Sequence, residues 1–256
     1  MRKSKTLAKI RNHRIVRLCV LGHFVPGFIG QAAAHGYDCI WLDLEHRCMG
    51  AREVQTLLAL SYRFDIDVMV RPPTTERTRL YRYLEDGAAG LMIPFVSTVE
   101  KAMQLVEAVK FPPIGNRGID GAGMDGDFQV GRGIEYTQHA NQETFLVGQI
   151  ETPQAVENVD AICSVAGLDG LFIGPADLGL RLEVDGQTEM SIQDAQIRVN
   201  EACQTHGKFW GQPSYSPEHL KELTKIGARL VCRGADFGAI IADLKASSAA
   251  YDAIEK

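Results

Sequence analysis

The sequence predicts an α/β protein whose 256 residues form a single-domain (β/α)8 TIM barrel. Three observations predict it: eight short β-rich runs recur along the chain, amphipathic stretches separate them, and no Ser/Pro-rich linker or internal repeat divides residues 1–256. Length alone admits one large domain or two smaller ones and decides nothing.

The chain opens on MRKSKTLAKIRNHR, read as a helix, followed by a first strand, IVRLCVLG, from Ile15. This start imitates a secretory signal superficially. Arg17, His23 and Pro26 interrupt its apolar part, however, whereas a signal's apolar region is unbroken and a membrane span needs ~20 apolar residues. A cytoplasmic protein with no membrane partner is expected. The remaining strands are CIWLDLE from Cys39, DVMVRP from Asp67, GLMIPF from Gly90, FLVGQIE from Phe145, GLFIGPA from Gly170, KFWGQP from Lys208 and ARLVCRG from Ala228. Between them lie helical patterns such as TVEKAMQLVEAVKF, which sets Val99, Met103, Val106 and Val109 on one face. The alternative, a doubly wound open sheet, calls for a Gly-rich phosphate loop after an early strand, and the sequence has none. The longest irregular stretch runs from Pro112 to Gly133; a loop of that length in a compact domain is usually functional or mobile.

Composition narrows the function classes. A hydrophobic content of 45%, a charged content of 23% and a net charge of -5 with no strongly basic segment make nucleic acid an unexpected partner. The six cysteines form no C-x-x-C pair and several sit inside apolar runs, which disfavours both disulfides and zinc.

Barrel chemistry sits where strands run out at their carboxyl ends. His46, Arg71, Glu151 and Asp177 each stand just after an apolar run. Taken singly, each has a plain structural alternative: Arg71 as a surface ion pair, His46 as a loop histidine, Glu151 and Asp177 as acids at helix starts. Together they are harder to dismiss. Glu151 and Asp177 are about one βα unit apart, so two carboxylates project from adjacent strands, where they repel unless a proton or cation lies between them. With only oxygens on offer, a hard divalent ion such as Mg or Mn fits better than zinc. A Schiff-base mechanism needs a lysine in the cleft. Lys208, the only strand lysine, begins its strand at the wrong end, so the cleft is expected to lack one.

These residues resemble the HpcH/HpaI aldolases, metal-dependent enzymes that cleave 4-hydroxy-2-oxo acids to pyruvate, or a related 2-oxo acid, and an aldehyde. The matching stretches are GYDCIWLDLEH, VRPP, GLMIPFVSTVEKA, FPPIGNRG, GQIETPQAVENVD and GLDGLFIGPADLG, which span most of the chain in the expected order. The resemblance implies one phosphoenolpyruvate/pyruvate-type barrel domain and a cytoplasmic class II lyase. Its cofactor would be a divalent metal ion (Mg, Mn or Co). Glu151 and Asp177 would ligate the metal, and Gln149 with the amides near Ala176 and Asp177 would hold the substrate carboxylate. Arg71 would face the keto oxygen, and His46, helped by Asp43 and water, would move the proton of the C4 hydroxyl. The substrate would be a 4-hydroxy-2-oxo acid such as 4-hydroxy-2-oxoheptanedioate or a 2-dehydro-3-deoxy sugar acid. Relatives assemble as hexamers with exchanged terminal helices, and Ile240, Ile241 and Leu244 suit either such a homo-oligomer or ordinary core packing.

Two regions depart from the pattern and bear on the aldehyde pocket. The first strand, with Leu18, Cys19, Val20 and His23, lacks the tryptophan of well-known members. The Gly-rich loop carries Asp120, Asp125 and Asp127 where those members are more basic, although a solvated flexible loop is the plainer reading of the three. Glu85 stands where relatives often have Asp and has no assigned role. An oxaloacetate decarboxylase would use the same metal and enolate. A catalytically silent barrel that only binds 2-oxo acids would keep the ligands and tolerate loss of His46.

Overall fold

The computed structural model describes residues 2–128, 133–185 and 190–254. Its elements are α1 (Lys5–Arg11), β1 (Val16–Leu21), α2 (Pro26–Ala34), β2 (Cys39–Asp43), α3 (Ala51–Arg63), β3 (Asp67–Arg71), α4 (Arg77–Glu85), β4 (Gly90–Ile93), α5 (Val99–Val109), α6 (Gly133–Glu143), β5 (Phe145–Ile150), α7 (Pro153–Glu157), α8 (Val159–Cys163), β6 (Gly170–Ile173), α9 (Pro175–Asp185), α10 (Ile192–Thr205), β7 (Phe209–Pro213), α11 (Pro217–Lys225), β8 (Leu230–Ala235) and α12 (Asp236–Ile254). The eight strands close in chain order into a barrel, each parallel to its neighbours. All eight runs anticipated from the sequence are strands, and the open-sheet alternative is excluded by the β1–β8 pairing.

Alternate strand residues point into the barrel. Leu18, Cys39, Trp41, Met69, Met92, Val147, Phe172 and Leu230 pack together there, while the other parity, such as Leu42, Val70 and Leu146, joins the layer under the helices. The amino end of the barrel is stoppered. Phe145 and Phe209 meet edge to face at 6.4 Å, and their rings occupy the space beside Gly90 and Gly170, where added Cβ atoms would come within 2.4 and 2.5 Å of them. The register pairs Gly90 with Phe145 and Gly170 with Phe209, so small faces large across each pair. Beneath them α1 closes the floor, because the buried Asp67 at the start of β3 accepts from the Ser4 hydroxyl (2.7 Å), the Thr6 amide (2.8 Å) and Arg2 (2.9 Å).

At the carboxyl ends, helices start promptly because Thr98, Thr152 and Ser216 each accept the amide three residues on. One expected face is corrected. The buried stripe of α5 is Ala102, Leu105, Val106 and Val109, and Met103 is 54% exposed. Spacing of three and four residues through Ala102 and Leu105 makes a tighter apolar stripe than the one that includes Met103. Among the described residues no helix is long and apolar enough to cross a membrane.

Candidate active site

The barrel parity runs directly into the polar residues: Cys39, Trp41 and then Asp43; Met69 and then Arg71; Val147, Gln149 and then Glu151. The register sets Asp43 beside Arg71. Arg71 is buried, which removes the surface ion-pair reading. Its Nε and Nη2 donate to Asp43 Oδ1 at 3.0 and 2.9 Å, its Nη1 lies 3.0 Å from Glu45 Oε2, and its guanidinium lies 4.6 Å over the Trp41 ring. Three anchors and a flat floor fix the guanidinium plane. Asp43 Oδ1 also accepts the amides of Glu45 (3.2 Å) and His46 (3.4 Å), so one carboxylate sets both the guanidinium and the turn after β2. The His46 ring is 56% exposed, with Nε2 3.6 Å from Glu45 Oε2. The side-chain neighbour of His46 is thus Glu45, and Asp43 reaches His46 through the backbone. Asp43, Glu45 and His46 of the β2 turn thus share one cluster with Arg71 of β3, in which Glu45 is a member that sequence reasoning left without a role.

Glu151 ends the β5 line and is buried. Its Oε1 accepts from Gln149 Nε2 at 3.1 Å and its Oε2 from the Phe95 amide at 3.0 Å. Gly174, just past β6, makes room for it: a Cβ there would lie 2.3 Å from Glu151 Oε1. Burial raises the Glu151 carboxyl from 4.5 to about 7; the charges of Glu45 and Asp177 add to the rise, against the Phe95 amide and Arg71, which oppose it. Asp177 lies in the first turn of α9, where the backbone amides, those of Ala176 and Asp177 among them, have no carbonyl a turn earlier in the helix. Its Oδ1 pairs with Arg181 at 2.7 Å, and that guanidinium stacks 4.9 Å over the Phe95 ring.

The expectation that the cleft lacks a lysine is overturned. Lys208 does lie at the amino end, bonded to the Leu168 carbonyl at 2.6 Å. Lys101, however, reaches back from the first turn of α5, donates to the carbonyls of Pro94 (2.9 Å) and Phe95 (2.8 Å), and senses the charges of Glu151 and Glu45. Strand parity is blind to it because a helix carries it. A second correction concerns the Gly-rich loop, whose residues 129–132 lie outside the described ones. Asp125 is buried, bonded to Arg117 at 2.8 Å and to the Tyr136 hydroxyl at 2.6 Å, so it is no solvated loop residue. Gly123 backs onto the Glu85 carbonyl and Met124 onto Gly87, which precedes β4. Within one chain this part of the loop therefore flanks the amino end of the barrel, away from Glu151. In the first strand, Leu18 is a core residue, and His23, just past the strand's carboxyl end, has Nδ1 2.9 Å from Asp236.

Oxygen donors from two carboxylates suit a hard divalent ion, which commonly takes one or two protein carboxylates and completes its shell with substrate and water. The donor chemistry of Glu151 and Asp177 fits such an ion, and a buried carboxylate with Glu45 and Asp177 adding like charge is one that a cation would suit. Among the described residues no cluster of three or more His, Cys, Asp or Glu side chains forms a complete metal cage.

A family model described as HpcH/HpaI aldolase/citrate lyase matches residues 19–242. The 2-keto-3-deoxy-L-rhamnonate aldolase of Klebsiella pneumoniae subsp. pneumoniae is 34% identical over 206 residues, covering 80% of this chain and 77% of that protein. Among solved structures, an HpcH/HpaI aldolase from Desulfitobacterium hafniense superposes with a TM-score of 0.88 at 28% identity, covering 98% of this chain and 96% of that one. An HpcH/HpaI aldolase/citrate lyase family protein from Burkholderia cenocepacia gives 0.85 at 26% identity, covering 99% and 100%.

Proposed function

The chain belongs to the HpcH/HpaI aldolase/citrate lyase family, a carbon–carbon lyase by that membership, and from this premise we propose that it cleaves a 4-hydroxy-2-oxo acid of the 2-keto-3-deoxy sugar acid type to pyruvate and an aldehyde. The observation that carries the proposal is a fixed, buried guanidinium, Arg71 at the end of β3, set in the same charged cluster as a buried carboxylate, Glu151 just past β5.

Glu151 and Asp177 would hold a divalent ion, Mg, Mn or Co. When bound, the ion supplies a Lewis acid for the oxygens of the 2-oxo acid and for the enolate charge. The remaining work belongs to the chain. The Gln149 amide and the free amides at the start of α9 near Ala176 and Asp177 bind and orient the substrate carboxylate. His46 takes the proton of the C4 hydroxyl, with Glu45 beside its ring and Asp43 holding its backbone. As that proton leaves, the C4 oxygen becomes the aldehyde carbonyl, the C3–C4 bond breaks, and its electron pair passes into the enolate of the 2-oxo acid. Arg71, with two of its five N–H groups beyond the three already bonded, donates to the enolate oxygen where charge develops. Protonation at C3 then yields the free 2-oxo acid.

The test is pyruvate release from 2-keto-3-deoxy-L-rhamnonate and from 4-hydroxy-2-oxoheptanedioate, run beside oxaloacetate, after chelation and after addition of Mg, Mn or Co. Activity should vanish with the chelator and return with the ion. Full activity after chelation, or borohydride trapping of substrate on Lys101, would replace the metal reading with an imine mechanism.

A homo-oligomer is part of the proposal, a hexamer by resemblance. What supports it is α12, of which only Asp236 is buried, while Phe237, Ile240, Ile241, Leu244, Tyr251 and Ile254 are exposed. Beside its first turn an apolar groove of about 370 Å³, floored by Cys19, Phe28, Ala32 and Ala235, lies open between α2 and α12. A helix from a second copy would cover both. A monomeric mass in sedimentation at micromolar concentration would refute the assembly.

A further inference from the structure

We infer that Lys101 is a positioning residue of the reaction: by tying down the turn after β4 it aims the Phe95 amide at Glu151 and so fixes that carboxylate for the metal. The inference rests on the proposed role of Glu151 as a ligand.

The turn needs a restraint. Phe95 has a φ of 54°, in the left-handed region that a side chain with a Cβ disfavours. In that conformation its amide points to Glu151 Oε2, at the end of the adjoining strand, at 3.0 Å, and the next amide, that of Val96, reaches the Gln149 carbonyl at 3.0 Å. Two successive amides therefore lock the turn onto β5, one of them onto the residue proposed to hold the ion. On the carbonyl side, the Lys101 ammonium holds the two residues that present the amide, Pro94 at 2.9 Å and Phe95 at 2.8 Å, while the end of the turn is tied separately, the Ser97 carbonyl accepting from Asn158 at 2.9 Å.

Sequence explains how the ammonium gets there. Thr98 caps α5 by accepting the Lys101 amide at 3.2 Å, which fixes Lys101 at the third helical position. Helical side chains lean toward the amino end of their helix, so this one folds back over the turn. For the helix itself a cation in the first turn is unfavourable, since the macrodipole is positive there. Burial opposes the charge as well, and the nearby carboxylates of Glu151 and Glu45 support it. Lys101 thus stands where neither helix stability nor solvation favours a lysine, and its bonds go to the turn that orients Glu151.

The sign of one measurement separates this role from simple electrostatics. Removing a positive charge near a dication site tightens dication binding if charge alone matters, whereas loosening a residue that orients a ligand weakens it, typically by about 10- to 100-fold. The experiment is calorimetric titration of chelator-treated full-length protein with Mn²⁺, for wild type, Lys101→Met, Lys101→Gln and Glu151→Gln, with amide hydrogen exchange at Phe95 read on the same metal-free samples. Lys101→Met should weaken Mn²⁺ binding by about tenfold or more and speed exchange at Phe95, and Lys101→Gln, a shorter donor, should move the same way and serves if the methionine variant does not fold. Tighter or unchanged Mn²⁺ binding in both Lys101 variants, or unchanged exchange at Phe95, overturns the inference. If Glu151→Gln loses the ion while the Lys101 variants keep it, the inference alone falls. If Glu151→Gln binds Mn²⁺ as wild type does, the metal site itself is misplaced and the inference falls with it.

Discussion

Glu151 makes the protein's stability depend on pH in a direction opposite to that of an ordinary surface carboxylate. Its carboxyl rises from 4.5 to about 7 on folding, chiefly through burial, with Glu45 and Asp177 adding to the effect. A group raised in the folded state holds its proton there after the unfolded chain has released its own. The stability contributed is therefore fully present below pH 4.5 and is lost as pH climbs through about 7. At about 1.4 kcal/mol per pH unit, the displacement is worth roughly 3 kcal/mol. The perturbation is Glu151→Gln, which copies the protonated carboxyl in shape and charge. Denaturant unfolding of chelator-treated protein at pH 4.5 and at pH 8 gives the comparison. Wild type and variant should be close at the lower pH, and at the higher pH the variant should be the more stable by up to roughly 3 kcal/mol. Glu85 and Asp86, also raised by burial, act in the same direction, but they are common to both proteins and cancel in the difference. Saturating Mn²⁺ should stabilise wild type alone, and its affinity should fall about tenfold for each pH unit below 7, because the ion must displace the proton. Parallel stability curves for the two proteins would refute the reasoning, since they would show that Glu151 ionises in the folded chain as it does in the unfolded one.

Arg71→Lys should lose about 10² to 10³ in turnover with metal saturating, the usual cost of a misplaced donor, because an ammonium cannot reproduce the fork onto Asp43 and Glu45. Arg71→Ala should in addition lower stability by about 3–5 kcal/mol by leaving buried carboxylates uncompensated, as read by urea unfolding; near wild-type turnover in either variant would mean the guanidinium is not used. His46→Ala should slow cleavage by about 10² or more while Mn²⁺ affinity stays near wild type, and joint loss of both in steady-state and calorimetric assays would make His46 a ligand. Gly174→Ala should displace the Glu151 carboxylate, since its Cβ would fall 2.3 Å from Oε1, so weaker Mn²⁺ binding is expected with little change in melting temperature; an unaltered titration would show that the carboxylate can move aside without consequence.

Much of this architecture was legible in the order of residues, for a physical reason. Strands such as DVMVR at Asp67 and FLVGQI at Phe145 are apolar on both faces, because one parity fills the barrel and the other meets helices, and short unbroken apolar runs mark them clearly. The same run of strand into cleft marks Arg71 and Glu151 in the sequence, whereas Asp43 and Gln149 are marked by the family resemblance. What was missed lies outside that rule. Lys101 enters from a helix, where no alternation points to a strand end. The Phe95 amide is backbone and carries no residue signature. Composition leaves the Gly-rich loop between a pocket wall and a solvated surface loop, and its packing at the amino end is set by the buried Asp125 contacts with Arg117 and Tyr136, which local pattern does not encode. The spacing of apolar residues points to Met103, yet α5 buries Ala102 instead, because alanine is a weak hydrophobic signal but a good fit against the core.

The stopper of Phe145 and Phe209, with α1 beneath it, turns the barrel into a blind tube. Access to Glu151 is therefore from the carboxyl ends of the strands, where the His46 ring is more than half exposed. Under the proposed placement the carboxylate end of the substrate sits inward and the C4 end outward, so cleavage produces two fragments in single file. The outer one, the aldehyde, can depart at once, whereas the 2-oxo acid leaves only after it. Traffic in the synthetic direction is constrained the same way, with the 2-oxo acid loading first and the aldehyde arriving on top of it. A site with one mouth thereby imposes a kinetic sequence that no single side chain encodes, visible as competitive inhibition by pyruvate and mixed inhibition by the aldehyde.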